Sequence, residues 1–483
     1  MKAPVLDTMQ KALAINLDRS IYGSFAEIGA GQEISRLFFQ AGGASGTIAK
    51  SLSAYDMTMS DAVYGKRPGR YVSQGRLVQM LDKEYRQLLQ RLQPQNPDRK
   101  YFAICNTVEA INYDRSNTSH GRLGVKFQLN PNEEPNLVII HVRLLDRENI
   151  QQQQILGILG VNLLYGCYNL YHDPKHILNH MSDNLIPGRM QIDMVHMSGP
   201  AFKDVDNRLL SLFLVKNNMA DACMFLPDGT TIHPTEVLYK KDILALRGRF
   251  RPVTKVHLDM LKHGLRQFEK EDRTQEKNKI VMITELTLKD LGGKEGIEET
   301  DFLDRVDVLT SLGQTVLISN FQEYYKLVQY LTRYNTGAQI GLLLGANSMI
   351  NIMNEKYYSN LKGGVLESFG YLFHKDVRLY LYPYKFGSEI INSKNLIVPD
   401  NLIHLYQHLL DNRKVVDYEE YDESILHIFS NKVLNKIKEN DPAWEKMVPP
   451  IVCRIIKANN LFNWKEQKFK KVVINFEKLS NEN

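Results

Sequence analysis

From residue 137 onward the chain is punctuated by short apolar runs, each followed by a stretch whose apolar residues recur at helical spacing, and no other feature constrains the fold as tightly. The runs cover 137–145, 191–197, 221–226, 243–250, 280–288, 315–319, 339–344 and 377–382. They lack the strict apolar/polar alternation of a half-exposed strand, as strands buried on both faces do, and parallel strands need a crossover helix between them. Repeated βα units follow, about eight over roughly 250 residues, which is the size of a (β/α)8 barrel. The expected class is therefore α/β with a barrel-like body; an open doubly wound parallel sheet leaves the same local signals and is the alternative.

Around this body the chain reads as helical additions. Residues 6–17 and 74–92 carry helical spacing, and Pro94, Asn96 and Pro97 end the second helix and mark a boundary. The expected organisation is an α-rich, glycine-containing region over 1–98, the barrel-like domain over 99–390 and an α-rich cap over 391–483 that begins with a helix at 402–410. Residues 101–112 and 124–129 are short strand candidates that form a hairpin-like prelude.

Composition narrows the function classes. With 43% hydrophobic and 24% charged residues the chain can bury a large core. A net charge of +5 spread among interspersed acids and bases offers no basic stripe for nucleic acid or a membrane surface; only 465–471 is locally basic. Cys105, Cys167, Cys223 and Cys453 are far apart and form no CxxC pair, so buried reduced thiols are expected rather than disulfides or a thiolate metal site. No apolar run approaches the roughly 20 residues of a membrane helix, and Met1-Lys2-Ala3-Pro4 opens no signal peptide, so a cytoplasmic location is expected.

The most specific motif is Gly248-Arg249-Phe250-Arg251-Pro252-Val253-Thr254-Lys255-Val256-His257-Leu258, where an apolar run passes into an amphipathic helix. Arg247, Arg249, Arg251 and Lys255 crowd this turn and repel one another unless anions or carboxylates lie nearby. The C-terminal ends of parallel strands are where such folds bind ligands, so a phosphate or carboxylate site is expected here. The motif resembles the GxFxPxTxxHL signature of the nucleotidyltransferase superfamily, which includes nicotinate-nucleotide adenylyltransferases. The chain as a whole resembles a group of similarly long bacterial proteins with comparable FAEIGAGQE and GTIAKSLSAYD segments, some of which carry that adenylyltransferase label. The resemblance implies adenylyl transfer to a nicotinate mononucleotide-like substrate, with ATP and Mg²⁺ as cofactors. It further implies phosphate contacts from Arg247, Gly248, Arg249, Arg251, Thr254 and Lys255, and His257 stabilising charge on the transferring group. Val256 stands where the family has a glycine, and 317–323 lacks the arginine of the family's second signature.

Other candidates are weaker. Glu285 sits inside an apolar run and needs a cationic partner or a raised pKa, which makes it the candidate acid or base. The glycine-rich segments 27–33 and 42–51 form no P-loop, since Gly46 is followed by Thr47 rather than Lys-Ser/Thr, and no dinucleotide fingerprint, since no strong strand precedes Gly29; glycines at helix caps or close packing explain them, and a lid contributing Glu27, Glu33 or Lys50 is the functional reading. His172, His176 and His180 recur every four residues, but Pro174 starts the helix after His172, and no metal site is expected. His404 and His408 read as packing residues, and His141 and His196 lie within strands.

Three classes remain open. A phosphate-handling enzyme acting on a small anionic or phosphorylated substrate comes first, with nucleotidyl transfer as its most specific form. A barrel enzyme of another class, using Glu285 and an arginine clamp on an anionic metabolite, is second. A non-catalytic, self-assembling body with an exposed patch at Tyr380, Tyr382 and Tyr384 is third.

Overall fold

The computed structural model describes residues 5–66, 69–271, 280–293, 296–334, 338–374 and 376–465, so the basic segment after Lys465 lies outside the described residues. Two open sheets carry the fold. The first comprises β1 (Ile21–Gly29), β2 (Ile48–Ser53), β3 (Lys100–Glu109), β4 (His120–Phe127), β5 (Asn136–Leu144) and β6 (Met190–Ser198), in the order β2-β1-β3-β4-β5-β6. β1 is parallel to both its neighbours, and β3 to β6 run as an antiparallel meander. Side chains alternate across β3: Phe102 and Ile104 pack under α1 (Thr8–Leu17), α2 (Glu33–Ala41) and α4 (Asn149–Asn169), while Tyr101, Ala103 and Cys105 pack under α3 (Gln74–Leu92).

The second sheet comprises β7 (Ala222–Phe225), β8 (Thr231–Ile232), β9 (Asp242–Arg247), β10 (Ile280–Thr287), β11 (Thr315–Ser319), β12 (Ile340–Gly345), β13 (Val377–Tyr382) and β14 (Val415–Asp417). Its order is β14-β13-β12-β9-β10-β11-β7-β8. The six strands from β14 to β11 are parallel; at one edge β7 runs against them, and β8 is antiparallel to β7. Leu244, Leu246, Leu286 and Leu343 face α5 (Lys255–Phe268) and α6 (Glu299–Ser311). Ile243, Ala245, Leu342 and Leu344 face α7 (Tyr324–Thr332), α8 (Gly364–Leu372) and α9 (Ile403–Asp411). Helices thus cover both faces, and chain order reverses between β9 and β12, the arrangement of an open doubly wound sheet with a topological switch point at that junction.

The expected closed barrel does not form. The runs at 137–145 and 191–197 are β5 and β6 of the other sheet, 221–226 is the antiparallel β7, and β14 and β8 end the second sheet as open edges. The N-terminal hundred residues are not purely helical either. β1 leads directly into Gly29, so a strand does precede the glycine-rich turn, and β1 pairs with β3 across the boundary expected at residue 98. Cys105, Cys167 and Cys223 are buried and all four cysteines are free thiols. No helix among the described residues is long and apolar enough to cross a membrane.

Gly29 fixes how β1 leaves the sheet. Its φ of +84° is a left-handed conformation, and a Cβ there would lie 2.0 Å from the Val108 carbonyl oxygen. Gly43 also has positive φ (+70°), but its nearest prospective neighbour is 3.4 Å away. In urea denaturation Gly29→Ala is expected to lose about 1–3 kcal/mol or more, and Gly43→Ala distinctly less. Equal midpoints for the two variants would contradict the close approach.

Candidate functional site

The C-terminal edge of the parallel strands is organised around one buried ion pair. Arg247 ends β9, and Glu285 stands opposite it on β10. Arg247 donates through Nε to Glu285 Oε2 at 2.7 Å and through Nη2 to Oε1 at 2.9 Å. Ser319, the last residue of β11, donates its hydroxyl to the same Oε1 at 2.6 Å. Glu285 is 0% exposed. Its cationic partner is therefore Arg247, and both its oxygens are engaged, so it is a structural brace rather than a free acid or base. Arg247 is equally committed: it spans Glu285 and the Gln322 carbonyl, and its guanidinium lies 4.4 Å from the centre of the Tyr324 ring. Removing one member of such a buried pair costs about 3–5 kcal/mol because the other charge is stranded.

The arginine-rich turn that follows is neutralised unevenly. Arg251 pairs with Asp301 at 2.6 Å, and the buried Arg305 bonds the same carboxylate. Arg249 reaches Asp290 at 3.2 Å but is 76% exposed. An exposed pair of this kind is worth about 0–1 kcal/mol, so a ligand anion can displace it. Phe250, with φ 46°, turns its ring into the core.

Thr254 is the N-cap of α5 and His257 its third residue, and together they form a capping box. The Thr254 backbone N–H donates to His257 Nδ1 at 2.9 Å. That nitrogen is an acceptor, so the proton of the neutral ring sits on Nε2. Burial pushes the imidazole down to about 4, leaving a neutral ring whose free N–H is a donor at the edge of the sheet.

Two adjoining hollows open at this edge and share Arg247 and Ser348. The larger, about 500 Å³, is lined by Gly248, Arg249, Thr287, Lys289, Asp290 and Tyr357 among others. The smaller, about 210 Å³, is lined by Thr254, His257, Gly345, Asn347, Tyr382 and Phe429 among others. They straddle the ends of β9 and β12, where strand order reverses. Of the residues singled out in the sequence, Arg247, Gly248, Arg249, Thr254 and His257 come together here. Glu285 lies beneath, Arg251 turns to Asp301, and Lys255 is exposed on the first turn of α5. Sequence reasoning missed Lys289, Asp290, Asn347 and Ser348. All four lie within four residues after an apolar run, and that position was the available signal.

The remaining candidates lie elsewhere. Glu27 is buried in β1, and burial pushes its carboxyl up to about 7. Lys50 pairs with Glu84 and Glu33 with Arg36, so the glycine-rich segments form no lid over the sheet edge. Asp173 caps the helix that Pro174 begins, and the His172 ring lies tilted against Tyr171. His404 and His408 are exposed rather than packed. Tyr380 and Tyr382 are 0% and 2% exposed, which removes the expected aromatic docking patch.

No family model and no curated protein matches the chain. Solved structures similar to part of it include the competence/damage inducible protein CihA from Agrobacterium tumefaciens, at 16% identity, covering 33% of this chain and 93% of that one, with a TM-score of 0.24. A competence-damaged protein (CinA) superfamily protein from Enterobacter cloacae has 12% identity, covering 35% and 95%, with a TM-score of 0.25.

The His257 tautomer has a measurable consequence. An unfolded imidazole titrates near 6.5 and the folded one near 4, so acid favours the unfolded chain. The His257 contribution is complete above pH 6.5 and is lost as pH falls from 6.5 to about 4, up to a ceiling of about 3 kcal/mol. His257→Gln keeps the capping box, so its stability is expected to fall less steeply than wild type across this window in pH-dependent denaturation. Parallel curves would show that His257 titrates normally.

Proposed function

We propose that the switch-point crevice binds a phosphate-bearing small molecule, and that the chain is a phosphate-handling enzyme with nucleotidyl transfer as its most specific form. The observation that carries this reading is the coincidence of three things at the ends of β9 and β12: two adjoining hollows, the Gly248 to Leu258 motif, and cationic donors not held by buried carboxylates. Lys289 lines the larger hollow and has no carboxylate partner among the described residues, and Arg249 has only its exposed contact with Asp290. Both can turn to phosphate oxygens at little cost.

Adenylyl transfer suits this chemistry. In-line attack of one phosphate oxygen on the α-phosphate of a nucleoside triphosphate needs positioning and charge stabilisation, with no covalent intermediate and no strong general base. The engagement of Glu285 with Arg247 is therefore no obstacle. His257 would supply a neutral Nε2–H to an oxygen of the transferring group, and Arg249 and Lys289 would hold the flanking phosphates. Mg²⁺ asks for oxygen ligands, commonly one or two carboxylates together with substrate phosphates. Asp290 and Glu323 are the carboxylates lining the larger hollow, so the residues present fit that ion, which would neutralise charge on the phosphates when bound.

The test is equilibrium binding of ATP, together with pyrophosphate release in the presence of nicotinate mononucleotide. Arg249→Ala and Lys289→Ala are each expected to weaken ATP binding about tenfold or more, the scale of one charge-assisted hydrogen bond, with far-ultraviolet circular dichroism unchanged. ATP affinity indifferent to both substitutions would remove the site. Pyrophosphate release absent where a known adenylyltransferase works in the same buffer would remove the reaction.

A further inference from the structure

The seam between the two sheets holds a second constellation, separate from the crevice. His141 on β5, Asp193 on β6 and His233, the residue that caps the short Pro234–Leu238 helix, are 0%, 3% and 1% exposed. The two oxygens of Asp193 are divided between the imidazoles: Oδ1 lies 2.5 Å from His141 Nδ1 and Oδ2 lies 3.2 Å from His233 Nε2. We propose that His141, Asp193 and His233 bind one divalent ion of the zinc type, pinning the first sheet to the start of the second.

Four observations carry this. One ligand atom from each side chain lies within 4.8 Å of the others, and this is the one such group of three among the described residues. Two imidazole nitrogens with a carboxylate suit zinc-type ions rather than Mg²⁺ or Ca²⁺, which prefer oxygen. The third observation concerns charge. Asp193 is buried with imidazoles as its ion-pair partners, because the neighbouring Arg122 is turned to Glu236 at 2.8 Å. Arg122 acts on Asp193 by charge without bonding to it, so a divalent ion would give this buried carboxylate the direct countercharge it lacks.

The fourth is the outer shell. Metal-bound histidines give their other nitrogen a hydrogen-bond partner. His141 Nε2 lies 3.0 Å from His120 Nδ1, and His233 Nδ1 lies 2.6 Å from Thr235 Oγ1. On metal binding the proton of each inner nitrogen moves to the outer nitrogen of the same ring; His120 shifts its own proton from Nδ1 to Nε2 so that its Nδ1 accepts from His141, and the Thr235 hydroxyl accepts from His233 Nδ1 in place of the 3.3 Å Thr235 backbone N–H contact, so no proton need leave the cluster. Two ligands on a tetrahedral ion with bonds of about 2.05 Å are about 3.3 Å apart. The His233 contact already has that spacing, and the His141 contact opens to reach it. Asp193 supplies the third protein ligand, and a water would complete the four donors.

The experiment uses the full chain, stripped with a chelator and titrated with Co²⁺ and then Zn²⁺. Expected are one Co²⁺ per chain with the visible spectrum of a four-coordinate N/O site, its displacement by Zn²⁺, and a rise in Tm on loading. Asp193→Asn is expected to abolish the spectrum. Because that variant can fail to fold, His120→Ala, which removes an outer partner and no ligand, is measured beside it and is expected to weaken binding about 10–100-fold while still folding. Absence of stoichiometric Co²⁺ in the folded wild-type chain, or identical affinity in wild type and His120→Ala, would overturn the proposal and leave a metal-free cluster sharing protons.

Discussion

The bidentate contact between Arg247 and Glu285 is the constraint on which the sheet edge depends. A fully buried carboxylate is paired with an arginine side chain that is 7% exposed at the floor of the hollows, at the ends of adjacent parallel strands, and Ser319 extends the same bond network to a third strand. The pair fixes the height at which β9, β10 and β11 end, and so the floor of the crevice above them. A buried pair of this kind is a poor source of net stability but a strong source of register, because any slip strands a charge. The crevice chemistry is then left to groups that are less committed: Arg249 and Lys289 at the rim and the N–H of His257 in the wall.

Burial explains the roles that the residues of the Gly248 to Leu258 motif take. Thr254 and His257 satisfy the N-terminus of α5, which consumes one nitrogen of the imidazole and sets the proton on the other. A capping residue is held rigidly, and a rigid donor beside a developing charge needs no reorganisation. Arg251 and Arg305 share Asp301 and tie the turn to α6. The same turn therefore carries both a structural half and an open half.

Much of this was legible in the sequence, and the failures have physical causes. The apolar runs at 243–250, 280–288, 315–319, 339–344 and 377–382 are parallel strands, and α3 occupies the 74–92 stretch read as helix. Closure was not legible, because pairing of β12 with β9 instead of β11 is a long-range choice that local periodicity does not record. β5 and β6 mimicked parallel strands because helices or the seam bury both their faces. β1 escaped notice because Gly23 is small where Phe102 fills the space: a Cβ there would lie 2.3 Å from that ring. At the site, Arg247 and Glu285 were visible as a charge cluster and a buried acid, yet their mutual engagement needed the register of β9 against β10. His141 was visible as a histidine in a strand, whereas Asp193 joins it through the register of β6 against β5, and His233 only where the second sheet meets that edge.

Hydrogen exchange of backbone amides with and without ATP tests the central claim most directly, because it asks where a nucleotide sits without presuming a reaction. Slowed exchange is expected over 247–257, 287–290, 322–324, 345–358, 382–384 and 426–430, the segments that line the two hollows, with the first sheet unchanged. Protection confined to another surface, such as the groove along α3 that contains Lys83 and Arg86, would contradict it.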